Sequence, residues 1–162
     1  SNKFALGVCN GCQMLSQLRE IIPGTQHWPK FVRNTSNQFE ARLSRVKINK
    51  TNSIFFKDME GSILPIIVSH GEGKAIFSNN KFSKTAIINY VDENNKVSMK
   101  YPFNPNGSIN GSNGFTNNDG RITILMPHPE RLYEINQYSY KSADWEISPW
   151  MKFFINAREW LK

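Results

Sequence analysis

The feature that most constrains the fold is a short apolar run that stops at a cysteine placed between two glycines. Residues 4–8 are continuously apolar, which predicts a strand covered on both faces, as in a parallel sheet. Residues 11–18 carry apolar side chains at helical spacing, so the chain must pass from strand to helix within a few residues of Cys9. The pattern Gly-x-Cys-x-Gly is the cysteine counterpart of a nucleophile elbow.

An elbow at Cys9 has chemical consequences. The sharp turn strains the backbone at its tip, where only glycines such as Gly7 and Gly11 are expected to clear the crowded chain. The N-terminus of the following helix is aimed at the thiol, which favours the thiolate form. The backbone N–H of Asn10 is then placed to donate to an oxyanion. The pattern therefore predicts a cysteine nucleophile with a backbone oxyanion donor beside it.

The two cysteines leave other interpretations open. The spacing of Cys9 and Cys12 also fits a redox pair or half of a zinc site. The histidines, His27, His70 and His128, show no paired ligand spacing, so we predict no metal site. In an elbow, Cys12 would lie one helical turn inside the fold as a small core residue. Two cysteines are too few for a disulfide-stapled secreted domain, which favours the cytoplasm.

A candidate general base follows a second buried strand. Residues 122–126 are apolar and run directly into a Pro-His-Pro-Glu segment, and open α/β sheets place their sites at such strand ends. If this segment stays extended, His128 and Glu130 project to the same side, and the carboxylate can orient the imidazole. The alternative is a proline-bracketed turn with a surface histidine and glutamate. Together with the elbow, the pattern favours a triad of Cys9, His128 and Glu130.

The remaining segments predict a mixed α/β fold. Strand-like patterns occupy residues 39–48, 63–68, 75–77 and 86–91. Residues 28–37 are predicted as a loop, and residues 101–119 as a long segment that is either disordered or functional. Ser148 as the N-cap and Pro149 as the first helical residue predict a terminal helix, whose apolar stripe belongs to the core.

Several segments of the sequence resemble a known family. Residues 7–13 (GVCNGCQ) and 127–131 (PHPER) are similar to the triad-type, class I glutamine amidotransferase domain. Segments between and after them are similar to phosphoribosylformylglycinamidine synthases of the long single-chain form: residues 28–36 (WPKFVRNTS), 39–42 (FEAR), 69–73 (SHGEG), 101–102 (YP), 104–108 (NPNGS) and 148–151 (SPWM). The resemblance spans essentially the whole chain. It implies that residues 1–162 are the C-terminal portion of a single glutaminase domain.

The resemblance also implies a fold and a set of site residues. The fold is a flavodoxin-like open sheet, expected to be truncated at its N-terminus because the family places several strand–helix units before the nucleophile strand. The implied nucleophile, base and orienting acid are Cys9, His128 and Glu130. The implied glutamine-binding residues are Gln13, Ser69, Gly71 and Glu72.

The implied function is hydrolysis of glutamine to glutamate and ammonia. The ammonia would pass to the synthetase domain of the same full-length chain, where ATP and Mg²⁺ support conversion of formylglycinamide ribonucleotide to the amidine in purine biosynthesis. No cofactor is expected in this fragment, and the fragment alone is expected to be inactive. The alternatives are a glutaminase that feeds another acceptor and a thiol-bearing binding module without enzymatic activity.

Charge and hydropathy indicate whether the chain is expected to bind nucleic acid or a membrane. The net charge is +7, and the excess of basic residues lies within the first 57 residues. A basic half can meet nucleic acid. However, Arg33, Arg42, Arg45 and Lys47 are scattered, with no recognition helix or aromatic-basic motif, so we expect no nucleic-acid partner. The apolar runs are far shorter than a membrane span and no leader opens the chain, so we expect no membrane partner.

Overall fold

Strands and two α-helices make up the computed structural model, which describes residues 3–162. The strands are β1 (Ala5–Val8), β2 (Lys30–Val32), β3 (Glu40–Ile48), β4 (Ile63–His70), β5 (Lys74–Ile76), β6 (Ile88–Tyr90), β7 (Ser112–Thr116) and β8 (Ile122–Leu125). The helices are α1 (Asn10–Gln17) and α2 (Pro149–Trp160). This mixture confirms the predicted α/β class.

Six strands form one open sheet in the order β1-β8-β7-β6-β3-β4, while β2 and β5 form a separate antiparallel pair. In the large sheet, β1 and β8 are parallel and the other pairs are antiparallel. The parallel surroundings predicted for residues 4–8 are therefore present on the β8 side. Residues 63–68, predicted to be buried, instead alternate between buried and half-buried because β4 is an antiparallel edge strand.

The large sheet curls, and the curl positions the candidate site. Strand β4 and strand β1 lie at opposite edges of the sheet order. Even so, Ile67 of β4 forms an antiparallel bridge with His128, just beyond β8, and the His128 N–H donates to the Ile67 carbonyl at 2.8 Å. The segment that follows β4 is thereby brought to the same place as the carboxyl ends of β1 and β8.

Two apolar clusters cover the two faces of the sheet. Successive residues of a strand point to opposite faces, and Leu125 and Ile124 of β8 accordingly belong to different clusters. The Leu125 cluster includes Trp150 and Phe153 of α2. The Ile124 cluster includes Cys12 of α1. The two helices therefore lie on opposite sides of the sheet.

Helix α2 begins where the sequence predicts. Ser148 Oγ accepts a hydrogen bond from the Trp150 N–H at 3.2 Å, and Pro149 is the first helical residue. The Trp150 indole N–H donates to the Pro65 carbonyl of β4 at 2.7 Å, which ties the helix to the edge strand. None of the helices in residues 3–162 is long and apolar enough to cross a bilayer.

Two loop predictions need correction. Residues 28–37, predicted as a loop, contain the short strand β2. Residues 101–119 are ordered and contain β7, all five residues of which are buried. The strand was missed because its sequence, Ser-Asn-Gly-Phe-Thr, has no apolar periodicity. Two of its polar side chains are hydrogen-bonded: the Ser112 hydroxyl donates to the Ile109 carbonyl at 2.7 Å, and the Thr116 hydroxyl donates to the Ile122 carbonyl at 3.0 Å.

Candidate active site

The predicted elbow is present at Cys9, between β1 and α1. Its backbone has φ 53° and ψ −108°, a conformation that non-glycine residues rarely adopt. The Cys9 N–H donates to Leu125 of β8 at 2.9 Å, and its carbonyl accepts from the Gln13 N–H at 3.0 Å. A Cβ on Gly7 would lie 2.6 Å from the Gly11 carbonyl oxygen, so glycine is required at Gly7. Apart from its chain neighbours and the backbone of its own helix, a Cβ on Gly11 would meet nothing within 4 Å, so the crowding predicted there is wrong.

His128 reaches the elbow because β1 and β8 are parallel neighbours. Val8 and Leu125 are paired in register, so both strands end at the same edge and Cys9 and His128 follow side by side. His128 Nδ1 lies 2.5 Å from Glu130 Oε1. The predicted contact is therefore present, but the extended segment is not, since Pro129–Arg131 forms a 3₁₀ turn.

The His128–Glu130 pair holds a proton. Burial acts to lower the pKa of His128, but the neighbouring Cys9 thiol and the Glu130 carboxylate outweigh it and raise that pKa to about 9. Burial acts to raise the pKa of Glu130, but the hydrogen bond from His128 outweighs it and lowers that pKa. An ionised carboxylate only accepts hydrogen bonds, so Nδ1 carries the proton that lies between them. The other ring nitrogen, Nε2, is buried and has no hydrogen-bond partner within residues 3–162.

A cleft of about 560 Å³ opens at this edge of the sheet. Seven of the eight residues predicted for the site line it: Cys9, Asn10, Gln13, Ser69, Gly71, Glu72 and His128. Glu130 does not line the cleft and instead contacts His128 from behind. The cleft is also lined by four residues that the sequence did not assign to the site: Val8, Phe39, His70 and Arg131.

Two hydrogen bonds join the segment after β4 to the elbow and helix α1. Gln13 Nε2 of α1 donates to the Glu72 carbonyl at 2.7 Å. The Cys9 thiol donates to the Ser69 carbonyl at 3.7 Å. Helix α1 begins at Asn10, so the Asn10 N–H, in the first turn, has no acceptor within the helix. The cleft thus combines a thiol, a protonated imidazole and a backbone donor.

Asn34 organises the segment after β4, although the sequence analysis did not assign it to the site. Its side chain is buried, with Nδ2 donating to the His70 carbonyl at 2.8 Å and Oδ1 accepting from the Gly73 N–H at 2.9 Å. Its own N–H donates to the Gly71 carbonyl at 2.9 Å. A Cβ on Gly73 would lie 2.2 Å from the His70 ring, so only glycine fits there. Asn34 lies in an aperiodic polar stretch, where sequence patterns carry no information on burial.

His70 is a second, uncharged histidine in the cleft wall. Its side chain is buried, and neither ring nitrogen finds a hydrogen-bond partner in the part of the chain that the structure describes. Burial lowers the pKa of His70 to about 4, and the charge of His128 works in the same direction. His70 is therefore neutral at physiological pH, in contrast with His128.

Cys12 lies in the core, as the elbow geometry predicts. It is a free cysteine, fully buried in the apolar cluster beneath α1. Burial, and then the nearby Cys9, raise the pKa of the Cys12 thiol well above its usual value. Across residues 3–162, no group of three or more histidine, cysteine, aspartate or glutamate side chains is arranged to hold a metal ion.

Comparison with known families places this geometry in context. Residues 1–161 match the CobB/CobQ-like glutamine amidotransferase domain, which covers almost the entire chain. The chain belongs to this family. In this member of the family, Cys9 and His128 follow the carboxyl ends of the neighbouring parallel strands β1 and β8.

Solved structures of this type share the fold. PurLQS from Thermotoga maritima superposes with a TM-score of 0.73 at 22% sequence identity, over 99% of this chain and 63% of that chain. A Thermoplasma acidophilum protein assigned to GMP synthase superposes with a TM-score of 0.55 at 13% identity, over 99% of this chain and 58% of that chain. The amidotransferase chain described here therefore spans less than two thirds of the length of either protein.

Proposed function

We propose that this chain hydrolyses the side-chain amide of glutamine, with Cys9 as nucleophile, His128 as acid and base, and Glu130 as the residue that orients His128. The observation that carries the proposal is that the strained Cys9 elbow and His128 line one cleft, with Glu130 paired to His128 outside it. Family membership supports glutamine as the substrate. A surface turn would leave the histidine exposed, whereas the His128 side chain is 8% exposed although that of Glu130 is 44% exposed.

The reaction proceeds in two stages through a thioester. The Cys9 thiolate attacks the amide carbon, and the Asn10 N–H donates to the oxyanion that forms. Protonated His128 gives its Nε2 proton to the amide nitrogen, the C–N bond breaks and ammonia leaves. Neutral His128 then takes a proton from water, the hydroxide attacks the thioester, and the Cys9 thiolate leaves as glutamate forms.

Glu130 supports both stages from behind the imidazole. By accepting the Nδ1 proton, it keeps Nε2 as the nitrogen that exchanges protons with the substrate. A pKa of about 9 keeps His128 protonated at neutral pH, which is the state that the first stage requires.

Substrate binding falls to the residues around the elbow. We assign Gln13, Ser69, Gly71 and Glu72 to glutamine binding, since all four line the cleft beside Cys9. Gln13 also holds the backbone of Glu72 through its 2.7 Å hydrogen bond. A change at Gln13 therefore affects the substrate directly and through the loop.

The ammonia acceptor is proposed from the sequence resemblance. We infer that the ammonia feeds ATP- and Mg²⁺-dependent synthesis of formylglycinamidine ribonucleotide in purine biosynthesis, in the cytoplasm. The synthetase would be another domain of the same full-length chain, with residues 1–162 forming part of its glutaminase domain. The fold shared with PurLQS from Thermotoga maritima is consistent with this acceptor.

A two-substrate assay on the full enzyme tests the proposal. Cys9→Ala should abolish glutamine-dependent synthesis and leave ammonia-dependent synthesis largely intact, because Cys9 serves only amide cleavage. Cys12→Ala is the matched control and should retain most glutamine-dependent turnover, since Cys12 lies in the core. If Cys9→Ala removed both activities from a folded enzyme, Cys9 would be structural. If Cys12→Ala alone abolished turnover in a folded enzyme, the redox-pair interpretation would be favoured.

A further inference from the structure

The cleft is lined by two side chains of opposite charge, and neither takes part in the chemical steps at Cys9. Among the described residues that line the cleft, Arg131 is the permanent cation and Glu72 is the carboxylate. Both side chains are exposed. Neither takes part in an ion pair within residues 3–162, whereas Glu130, the neighbour of Arg131 in sequence, is already paired with His128.

The backbone of Arg131 is held in place by the turn that contains it. It ends the 3₁₀ turn Pro129–Arg131, and its N–H donates to the His128 carbonyl at 3.4 Å. The next residue, Leu132, is 1% exposed and anchors the turn in the core. Arg131 lines the cleft together with Cys9 and His128, and its charge acts to lower the pKa of both His128 and Glu130.

Glu72 faces the same cleft from the segment after β4. Its carbonyl accepts the hydrogen bond from Gln13, which fixes the backbone, while no hydrogen bond is found for its carboxylate in the described part of the chain. A cation that follows β8 and an anion that follows β4 therefore line the same opening as Cys9.

Glutamine carries the complementary pair of charges. Its α-carbon bears a carboxylate and an ammonium group, and two methylene groups separate that carbon from the amide that Cys9 attacks. A guanidinium matches a carboxylate through two parallel N–H···O bonds and keeps its charge at any working pH. On the basis of the proposed function, we propose that Arg131 binds the α-carboxylate of the substrate and sets specificity for a free α-amino acid. Glu72 then faces the α-ammonium group.

This assignment makes Arg131 a specificity-determining residue, distinct from the triad. An amide whose α-carboxylate is absent or capped leaves the guanidinium without its partner and binds more weakly. Removing Arg131 should therefore weaken recognition of glutamine and leave the chemistry at Cys9 in place. The main expected effect is a higher KM for glutamine, with kcat retained.

Alkylation of Cys9 in the full enzyme separates recognition from thiol reactivity. One reagent, 6-diazo-5-oxo-L-norleucine, carries the α-groups of glutamine and alkylates the thiol with loss of N₂. The other, iodoacetamide, has no α-groups. We expect Arg131→Met to slow labelling by the diazoketone about tenfold relative to labelling by iodoacetamide, the loss expected for one charge-assisted contact. Arg131→Lys should restore part of the rate.

Arg158→Met, on α2 and outside the cleft, removes the same charge and should leave both rates unchanged. Equal slowing of both reagents by Arg131→Met would overturn the proposal, because Arg131 would then act on the thiol and not on the α-carboxylate. Unchanged rates would also overturn it. A wild-type enzyme whose Cys9 reacts with iodoacetamide and not with the diazoketone would overturn the proposed function itself.

Discussion

At the scale of single residues, the site depends on a backbone conformation that the surrounding structure enforces. A non-glycine residue at φ 53° and ψ −108° carries strain of about 1–3 kcal/mol. For Cys9 that strain is offset by its hydrogen bond to β8 and by the close approach of Gly7 to Gly11. The strain has a use, because it holds the thiol at the tip of the turn and leaves the first N–H groups of α1 unpaired beside it.

Glu130 is the triad member whose role is most sharply testable. Glu130→Gln should lower kcat for glutamine hydrolysis by roughly 10²–10⁴-fold, as loss of the acidic residue does in other triads, with a smaller change in KM. The pKa of His128 should fall well below its value of about 9, because a neutral amide does not stabilise imidazolium. Steady-state kinetics and NMR titration of the imidazole measure the two effects.

Glu93→Gln, at an exposed turn, is the control and should change neither quantity. A Glu130→Gln enzyme with near-native kcat would remove Glu130 from the catalytic residues. A lower kcat with an unchanged pKa of His128 would mean that Glu130 acts by holding the turn and not by its charge.

At the scale of elements, the segment between β4 and β5 is positioned by hydrogen bonds from other loops. Asn34 bonds it from one side. From the other, Asn106 Nδ2 donates to the Gly73 carbonyl at 2.8 Å, and Ser108 Oγ accepts from the Ala75 N–H at 2.8 Å. Buried polar side chains here satisfy backbone groups that no strand pairs, so the segment keeps one conformation.

Asn34→Ala tests this support. The change leaves the Gly73 N–H and the His70 carbonyl buried without the Asn34 side chain, and each such group costs about 1–3 kcal/mol. We expect the free energy of unfolding to fall by about 2–4 kcal/mol, and KM for glutamine to rise because Glu72 lies in the same segment. Denaturant unfolding and kinetics measure these effects. The exposed control, Asn94→Ala, should leave both unchanged; an equal response in the two variants would show that Asn34 does not organise the cleft.

The elements that the sequence predicted are those with a local signal. The elbow has glycines at fixed spacing, β8 has a continuous apolar run, and α2 has a cap and a proline at its start. Strand β7 and the burial of Asn34 have no such signal, because both place polar side chains in the interior, where no apolar pattern marks them. For Asn34 the burial is accompanied by a hydrogen bond to the distant His70 carbonyl. The contact between His128 and Glu130 was predicted correctly, although the segment forms a 3₁₀ turn and not the extended backbone that was expected. Side chains two residues apart can meet in either backbone conformation.

At the scale of the whole molecule, the site depends on the curl of the sheet. Parallel pairing of β1 and β8 brings Cys9 to His128, but the cleft wall comes from β4 at the far edge of the strand order. The bridge between Ile67 and His128 joins the two. No segment of the sequence encodes that bridge alone, because it results from the twist that accumulates over the strands between them.

The curl also buries two histidines with opposite charge preferences, and this predicts how global stability varies with pH. The pKa of His70 is about 4 in the fold against 6.5 for an ordinary histidine, so as pH falls below 6.5 the unfolded chain takes up a proton that the folded chain does not. Stability is therefore lost as pH falls from 6.5 to 4, by about 3 kcal/mol from this residue. The pKa of His128 is about 9, so its contribution is present below pH 6.5 and is lost as pH rises through 9.

Urea unfolding between about pH 4 and 10 measures the two slopes. His70→Gln should flatten the acid slope and leave the alkaline slope. His128→Gln should remove the alkaline slope and also reduce the acid slope, because the charge of His128 lowers the pKa of both His70 and Glu130. Glu40 and His128 are the charged groups that act on His70, and both remain in His70→Gln. The half-buried His27, whose pKa is also lowered by burial, remains in every variant and contributes equally to each acid slope. An acid slope that is the same in wild type and His70→Gln would show that His70 takes up its proton within the fold, and the cleft wall would then carry a second charge beside the triad.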